Sequence, residues 1–405
     1  MSTTLRTSRR TGRLGVMPAR TARIARTRSA ASAARTKGAA VAVLAVAAAA
    51  ACGSGAPARD DAAPTTDADA ADRWVEVDRI ARDAFAAQGI AGMGLAIYDA
   101  MDRKVFERMY GDFAPDRQVA VASASKLVAG MVLLDVVGRG MLSLDSTTGG
   151  VLGWTGPNAA ITLRQLLSFT SGLPPEAACT REVQTTLAEC VQTIAGTTAV
   201  APPGTRFDYG SVHLAVAGRM AEVATSKLWN RLFADTLATP LGLPASDRYY
   251  TAPRQALGLM NPLVAGGLRA SMNDYAQLLA TAFHRGSYRG LAIGTPALFD
   301  QQAIAPYPGA VIGQSPYVSV GYDYRYGLAA WLECATPAAG CATISSPGAF
   351  GWTPWLDRAA GFYAILGMEI AGTGGGTDGV VSFSVHLAQE LKPAITAALG
   401  PAAAP

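Results

Sequence analysis

The sequence predicts a mixed α/β (α+β) fold: one sheet built from both ends of the chain, flanked by helices, with a mostly helical region inserted between. Three observations carry this. Two strand-like runs, "GMGLAIYD" and "RKVFERMYG", follow a helically spaced stretch near residue 75. Residues 123 to about 300 are mostly helical in pattern, with Gly- and Pro-rich loops. Strand patterns then return at "YGLAAWLE", "GAFGWTPWLD" and "GFYAILGMEI", before a closing helical run, "VSFSVHLAQELKPAITAAL".

The first 51 residues stand apart. They hold nine arginines, Lys37 and no acid, whereas the whole chain carries 34 basic and 30 acidic residues. Without those ten cations the balance is 24 against 30, or −6. A basic nucleic-acid reader is therefore not expected. The Arg-rich run leads into "AAVAVLAVAAAAA", residues 39–51, and then Cys52. Thirteen apolar residues are too few for an ordinary membrane span. The pattern is that of an export signal. "AAAC" before "GSGAP" resembles a bacterial lipoprotein processing site, which makes Cys52 the expected lipid-bearing residue and the lipid the only membrane attachment. Ala49 stands where leucine is usual, and an ordinary signal cleaved nearby is the alternative. Arg9 and Arg10 resemble a twin-arginine pair but lie far from the apolar core, and Met17 is an alternative start.

The remaining elements follow in chain order. Residues 52–72 are small and polar, a flexible tether, so the folded domain is expected over 73–400. "DRWVEVDRIARDAFAAQG" places Trp74, Val77, Ile80, Ala81 and Phe85 at helical spacing. "ASMNDYAQLLATAF" opens with Ser271 and Asp274, a capping-box-like start. "TAPRQALG" and the Pro-rich 305–316 segment read as surface loops. Besides Cys52 there are four cysteines in two close pairs. An exported chain would oxidise them, predicting Cys179–Cys190 and Cys334–Cys341; in the alternative they are free small hydrophobes.

The chemistry centres on "VASASKLVAG". Lys126 sits where "LVAGMVLLDVV" is apolar nearly all round, the pattern of a buried helix. A buried ammonium without a partner is costly. Ser123 lies three residues before it, on the same helical face. Of the five lysines, Lys126 alone has this spacing to a serine. Desolvation and the positive end of a helix both lower an amine's pKa. An unprotonated amine can take the hydroxyl proton and activate the serine as a nucleophile. The competing structural reading is a lysine paired with a carboxylate or reaching to water.

Two further constellations accompany this pair. In "PPGTRFDYGSVHLAVAGRMAE", Tyr209, Gly210 and Ser211 precede an apolar helix, where a tyrosine could relay a proton or simply pack. In "SSPGAFGWTPWLD", Gly348 and Gly351 let a strand edge approach a ligand, and a backbone N–H there could hold an oxyanion. Trp352 and Trp355 read either as the lining of an apolar acyl pocket or as core. His213, one turn after Tyr209, could reach the pocket edge, although a packed histidine is the commoner outcome. With three histidines and no G-x-S-x-G elbow, a His-based triad is disfavoured. "GGGTDG", 374–379, has no room for a dinucleotide fold and reads as a loop. No metal-ligand spacing appears, and neither a metal nor a cofactor is expected.

Taken in this order, the three pieces resemble the serine β-lactamase and penicillin-binding-protein superfamily, particularly its class C-like, esterase-like branch. "GRGMLSLDS", "ITLRQLLSFTSGLP" and "VAGGLRASMNDYAQLLA" are similar to family segments, and the resemblance covers roughly residues 75–398. It implies the β-lactamase/transpeptidase-like fold with an antiparallel sheet. It implies Ser123 as nucleophile, Lys126 as base and Tyr209 sharing the acid/base work. Ser346-Pro347-Gly348 occupies the K-T-G or H-T-G position. The backbone N–H groups of Ser123 and Ala349 are the implied oxyanion donors, and Ser211, Ser346 and Gly348 the implied substrate contacts.

The chain departs from the family at two places. Ser211 replaces asparagine, and Ser346 and Pro347 replace the residues that help grip a substrate carboxylate. The expected function is an exported serine hydrolase acting through a Ser123 acyl-enzyme on ester or amide bonds of small molecules or cell-envelope components, including peptidoglycan-like ones. A β-lactamase or D,D-carboxypeptidase is the alternative, and an inactive binding protein with the same fold a remoter one.

Overall fold

The computed structural model describes residues 73–370 and 378–400. The export signal, Cys52 and the tether lie outside the described residues, as does most of the 374–379 stretch. Helix α1 (Val75–Gln88) leads into β1 (Gly92–Asp99) and β2 (Lys104–Gly111). The late strands are β3 (Arg325–Tyr326), β4 (Trp331–Leu332), β5 (Thr343–Ser345), β6 (Thr353–Asp357) and β7 (Phe362–Gly367). Together they form a seven-stranded sheet in the order β2-β1-β7-β6-β5-β4-β3. Every neighbouring pair is antiparallel. The first strand of the domain thus pairs with its last, Leu95 opposite Leu366 and Ile97 opposite Ala364.

Side chains alternate across a strand, and β1 is buried on both faces, which is why it reads as a continuous apolar run. Met93, Leu95 and Ile97 join Val77 and Ala81 of α1 in one core, with Leu391 and Ile395 of a C-terminal helix, Asp378–Leu399. Ala96 and Tyr98 face the second, larger core, which includes the inserted helical region. Burying each large apolar side chain contributes roughly 1.5–3 kcal/mol. The α1 periodicity is the expected one: Val77 and Ala81 are buried, while Arg79 bridges Glu76 and Asp83 in solvent.

Three helices of the insert position the site: α2 (Ser125–Gly138), α3 (Val212–Thr225) and α4 (Met272–Phe283). Ser271 caps α4, accepting the Asp274 N–H at 3.1 Å. Met272 then sits over the paired Gly94 and Gly367. A Cβ on either glycine would lie 2.6 or 2.5 Å from its sulfur.

Local strand readings needed correction late in the chain. "YGLAAWLE" is not one strand but two, β3 and β4, joined by a turn at Ala329 (φ 61°). The Ala329 N–H donates to the Leu167 carbonyl, and Ala329 lies close to Gly130 of α2. Tertiary contact bends the run. In "GAFGWTPWLD" the first half is a turn, Gly351 donating to the Gly348 carbonyl at 2.9 Å, and only Thr353–Asp357 is strand. β5 was not anticipated; three residues are too short for an alternation signal.

Both disulfides are present, Cys179–Cys190 and Cys334–Cys341. Among the described residues no helix is long and apolar enough to cross a membrane.

Candidate active site

Ser123 is presented on a one-turn 3₁₀ helix, Ala122–Ala124, directly before α2. The chain enters through Val119–Ala120, paired antiparallel with Arg269–Ala270, and Val121 donates to the Leu268 carbonyl at 3.1 Å. Ala122 then takes φ 48°, a conformation costing a non-glycine residue on the order of 1–3 kcal/mol. Surrounding bonds hold it there. Ser125 Oγ donates to the Ala122 carbonyl at 2.6 Å and accepts the Leu268 N–H at 3.0 Å. Tyr275 donates to the Ala124 carbonyl and Tyr249 to that of Ser125, at 2.8 and 3.1 Å.

Lys126, on the first turn of α2, is only 3% exposed. Its Nζ lies 2.9 Å from Ser123 Oγ and 2.8 Å from the Ala265 carbonyl oxygen. Burial pushes the amine down to about 7, with the Glu176 carboxylate pulling it up and the Arg181 guanidinium pushing it down. Near neutral pH about half of such amines are unprotonated and can accept the serine proton. The i, i+3 expectation holds in space, but Ser123 sits on the 3₁₀ turn rather than on the α-helix itself.

Tyr209 arrives from the short strand Arg206–Asp208, which pairs in parallel with Val311–Gln314. Its ring stacks on Trp331 at 5.1 Å and abuts Phe169 and Tyr326. Lys126 Nζ is 4.6 Å from the ring centroid. Burial raises the phenol, and hydrogen bonding to Ser123 pulls it back. The phenol therefore stays protonated at neutral pH.

Gly210 has no room for a side chain, since a Cβ would fall 2.1 Å from the Pro175 carbonyl oxygen. That carbonyl accepts the N–H groups of Ser211 and Val212 at 2.8 and 3.1 Å. Ser211 Oγ donates to Glu176 at 3.2 Å and lines the cleft. His213 does not reach the cleft edge. It is fully buried, stacked on Phe169, with Nε2 donating to the Asp208 carbonyl and Nδ1 accepting from Ser171, both at 2.8 Å. Burial drives its pKa down to about 4, so it is a neutral packing residue.

Opposite Ser123 lies the segment after β5. Ser346 is buried, and its hydroxyl donates to the Ser123 carbonyl at 3.0 Å. That hydroxyl, expected to touch substrate, is spent on the nucleophile's own backbone. At Gly348 a Cβ would lie 2.3 Å from the Val121 carbonyl oxygen. The glycine is what lets this segment approach the turn that carries Ser123. The Gly348 N–H is taken by the Trp352 carbonyl at 2.7 Å. Ala349 lines the cleft with Ser123, and its amide makes no hydrogen bond among the described residues. It is available to an oxyanion. Trp352 and Trp355 are fully buried and do not line the cleft; Phe350 does.

The cleft has a volume of about 410 Å³. Besides Ser123, Lys126, Ser211 and Ala349, it is lined by Arg181, Leu263 and residues Thr251 to Gln255. Sequence reasoning missed this last segment by reading "TAPRQALG" as a surface loop. No periodicity marks it, and only the fold brings it beside Ser123. Among the described residues no group of three or more His, Cys, Asp or Glu could hold a metal ion.

Comparison with known proteins gives the family and the fold. The family model described as Beta-lactamase matches residues 77–371. A solved structure from Bacteroides dorei DSM 17855, assigned as a β-lactamase, is 31% identical. Its TM-score is 0.67, covering 77% of this chain and 98% of that one. "Penicillin-binding protein 4" of Amycolatopsis lactamdurans is 33% identical over 141 residues, 33% of this chain and 36% of the relative. "D-alanyl-D-alanine-carboxypeptidase/endopeptidase AmpH" of Escherichia coli K12 is 27% identical over 245 residues, 52% of this chain and 63% of the relative. The chain thus spans less than two thirds of the length of either curated relative.

Proposed function

Because the chain belongs to the Beta-lactamase family of serine hydrolases, we propose that it cleaves ester or amide bonds through an acyl-enzyme on Ser123. The observation that carries this is the 2.9 Å contact between Ser123 Oγ and a buried Lys126 amine lowered to about 7. Lys126 takes the hydroxyl proton as Oγ attacks the carbonyl carbon. The N–H groups of Ser123 and Ala349 hold the oxyanion. Tyr209, protonated and with its ring 4.6 Å from Lys126 Nζ, passes a proton to the leaving group and regains one from the Lys126 ammonium. Water, giving a proton to the neutral Lys126 amine, then adds to the acyl carbon; the bond to Ser123 Oγ breaks, and the Lys126 ammonium returns that proton to the serine oxygen as the acid leaves.

The substrates on this reading are small molecules or components of the cell envelope, met by an enzyme exported and lipid-anchored through Cys52. The second reading is a β-lactamase or D,D-carboxypeptidase. The similarity to AmpH, named as a D-alanyl-D-alanine-carboxypeptidase, favours it. The loss of a cationic grip at Ser346 and Pro347 favours the first.

The test is intact-mass analysis of the full chain after incubation with a p-nitrophenyl ester and, separately, a penicillin, with Ser123→Ala as control. Ester turnover or an acyl mass that requires Ser123, without a penicillin adduct, supports the esterase-like reading. A Ser123-dependent penicillin adduct selects the second. A serine inert to both leaves an inactive binding protein of the same fold. Signals surviving Ser123→Ala refute the nucleophile.

A further inference from the structure

Resting on the Ser123 reading, we propose that Arg254 is the carboxylate receptor of the cleft. The preferred substrates are then acyl compounds with a compact apolar body carrying one carboxylate.

The argument starts from what the segment after β5 cannot supply. Ser346 has no charge and its hydroxyl is bonded to Ser123. Pro347 has no N–H to offer. Any anion must be read from elsewhere. Three cationic side chains line the cleft: Lys126, Arg181 and Arg254. Lys126 is buried, committed to Ser123 and Ala265, and lowered to about 7. Arg181 is 65% exposed and leans on Glu176 at 3.7 Å.

Arg254 differs in three respects. Its guanidinium carbon sits 4.9 Å from the centroid of Phe350, the residue after the unbonded Ala349 amide. Its nearest carboxylate, Glu369, is 3.9 Å away, beyond hydrogen-bond reach, and that Glu369 oxygen already accepts the Ala120 N–H at 3.4 Å. Among the described residues the Arg254 side chain makes no hydrogen bond, although it is 37% exposed at the cleft.

Stacking on an aromatic face fixes the guanidinium plane and leaves its edge donors free, the arrangement suited to a bidentate carboxylate. Glu369 steadies the charge without consuming the donors. The neighbouring Ala252, Pro253, Leu263 and Phe350 are apolar. One guanidinium beside apolar walls next to the Ala349 amide selects one carboxylate on a short apolar chain.

The test compares mono-p-nitrophenyl adipate with p-nitrophenyl hexanoate, esters of equal chain length and leaving group, with Ser123→Ala as the blank. The wild type should favour the adipate ester by about tenfold or more in kcat/KM, a size ordinary for a charge-assisted hydrogen-bonded pair. Arg254→Gln should abolish that preference. Arg254→Lys should keep only part of it, because charge remains while the planar fork is lost. An unchanged adipate-to-hexanoate ratio in Arg254→Gln overturns the proposal. So does an equal loss on both esters, which marks a structural role.

Calorimetry with free adipate separates this idea from the catalytic one. Binding to Ser123→Ala that weakens tenfold or more on adding Arg254→Gln supports the receptor even if Ser123 proves unreactive. Adipate binding indifferent to Arg254 overturns it even if Ser123 acylates.

Discussion

If Lys126 is the base, the pH dependence of kcat/KM is fixed by its burial. An amine at its ordinary value of 10.5 would be neutral in about 0.03% of molecules at pH 7. Lowered to about 7, it is neutral in about half, a gain of roughly 1,600-fold in competent enzyme. Below pH 7 that fraction falls tenfold per pH unit, so kcat/KM for a p-nitrophenyl ester should drop about 50-fold between pH 7 and pH 5. His213 cannot produce this limb, since burial holds it near 4. The neighbours supply an internal check. Glu176 raises the amine and Arg181 lowers it. Glu176→Gln should therefore move the inflection down, and Arg181→Gln should move it up. Each shift should be about half a pH unit, because the Arg181 and Glu176 side chains are 65% and 47% exposed and salt screens them. Initial rates from pH 4.5 to 9 at constant ionic strength measure all three profiles. A flat profile from pH 5 to 8, or both variants moving the inflection in the same direction, would refute Lys126 as the titrating base.

Other consequences can be checked on the same protein. Tyr209→Phe keeps the ring on Trp331 but loses the phenol. Its kcat should fall by roughly 10²- to 10⁴-fold with little change in Tm, and activity within twofold of wild type would remove Tyr209 from the chemistry. Gly348→Ala would force a methyl against the Val121 carbonyl oxygen, 2.3 Å away. It should lower stability in urea by about 1–3 kcal/mol and lose most ester turnover; a wild-type profile would contradict the close approach. Lys126→Met should abolish turnover yet stabilise the fold at pH 6. The folded amine sheds its proton near 7 while the unfolded chain holds it to 10.5, so wild-type stability rises with pH through that window. The Tm advantage of the variant should shrink towards pH 10, and an advantage growing with pH would reverse the assignment.

Much of the domain was legible because its signals are local. β1 is an apolar run from Gly92 to Tyr98 closed by Asp99, and α1 keeps its helical spacing, so both are placed within about three residues. Ser123 and Lys126 stand out because a cation opens a helix that is otherwise apolar nearly all round, Asp135 near its far end excepted. The two disulfides followed from short sequence separations. Where neighbours decide the outcome, the sequence was silent or misleading. Ala329 bends a run that reads as one strand because α2 lies against it. His213 looks like a pocket residue one turn from Tyr209, but Ser171, Asp208 and Phe169 enclose it. Trp352 and Trp355 could equally have faced a ligand.

The sequence by itself determined the individual strands and helices at the two ends of the domain, the Ser123–Lys126 pair and the cysteine partners, all properties of residues near one another along the chain. Only the tertiary structure decided that Ser346 bonds to Ser123 rather than facing substrate. It alone brought Arg254 over Phe350, beside a free amide. These contacts join segments about a hundred or more residues apart, and folding, not periodicity, sets them.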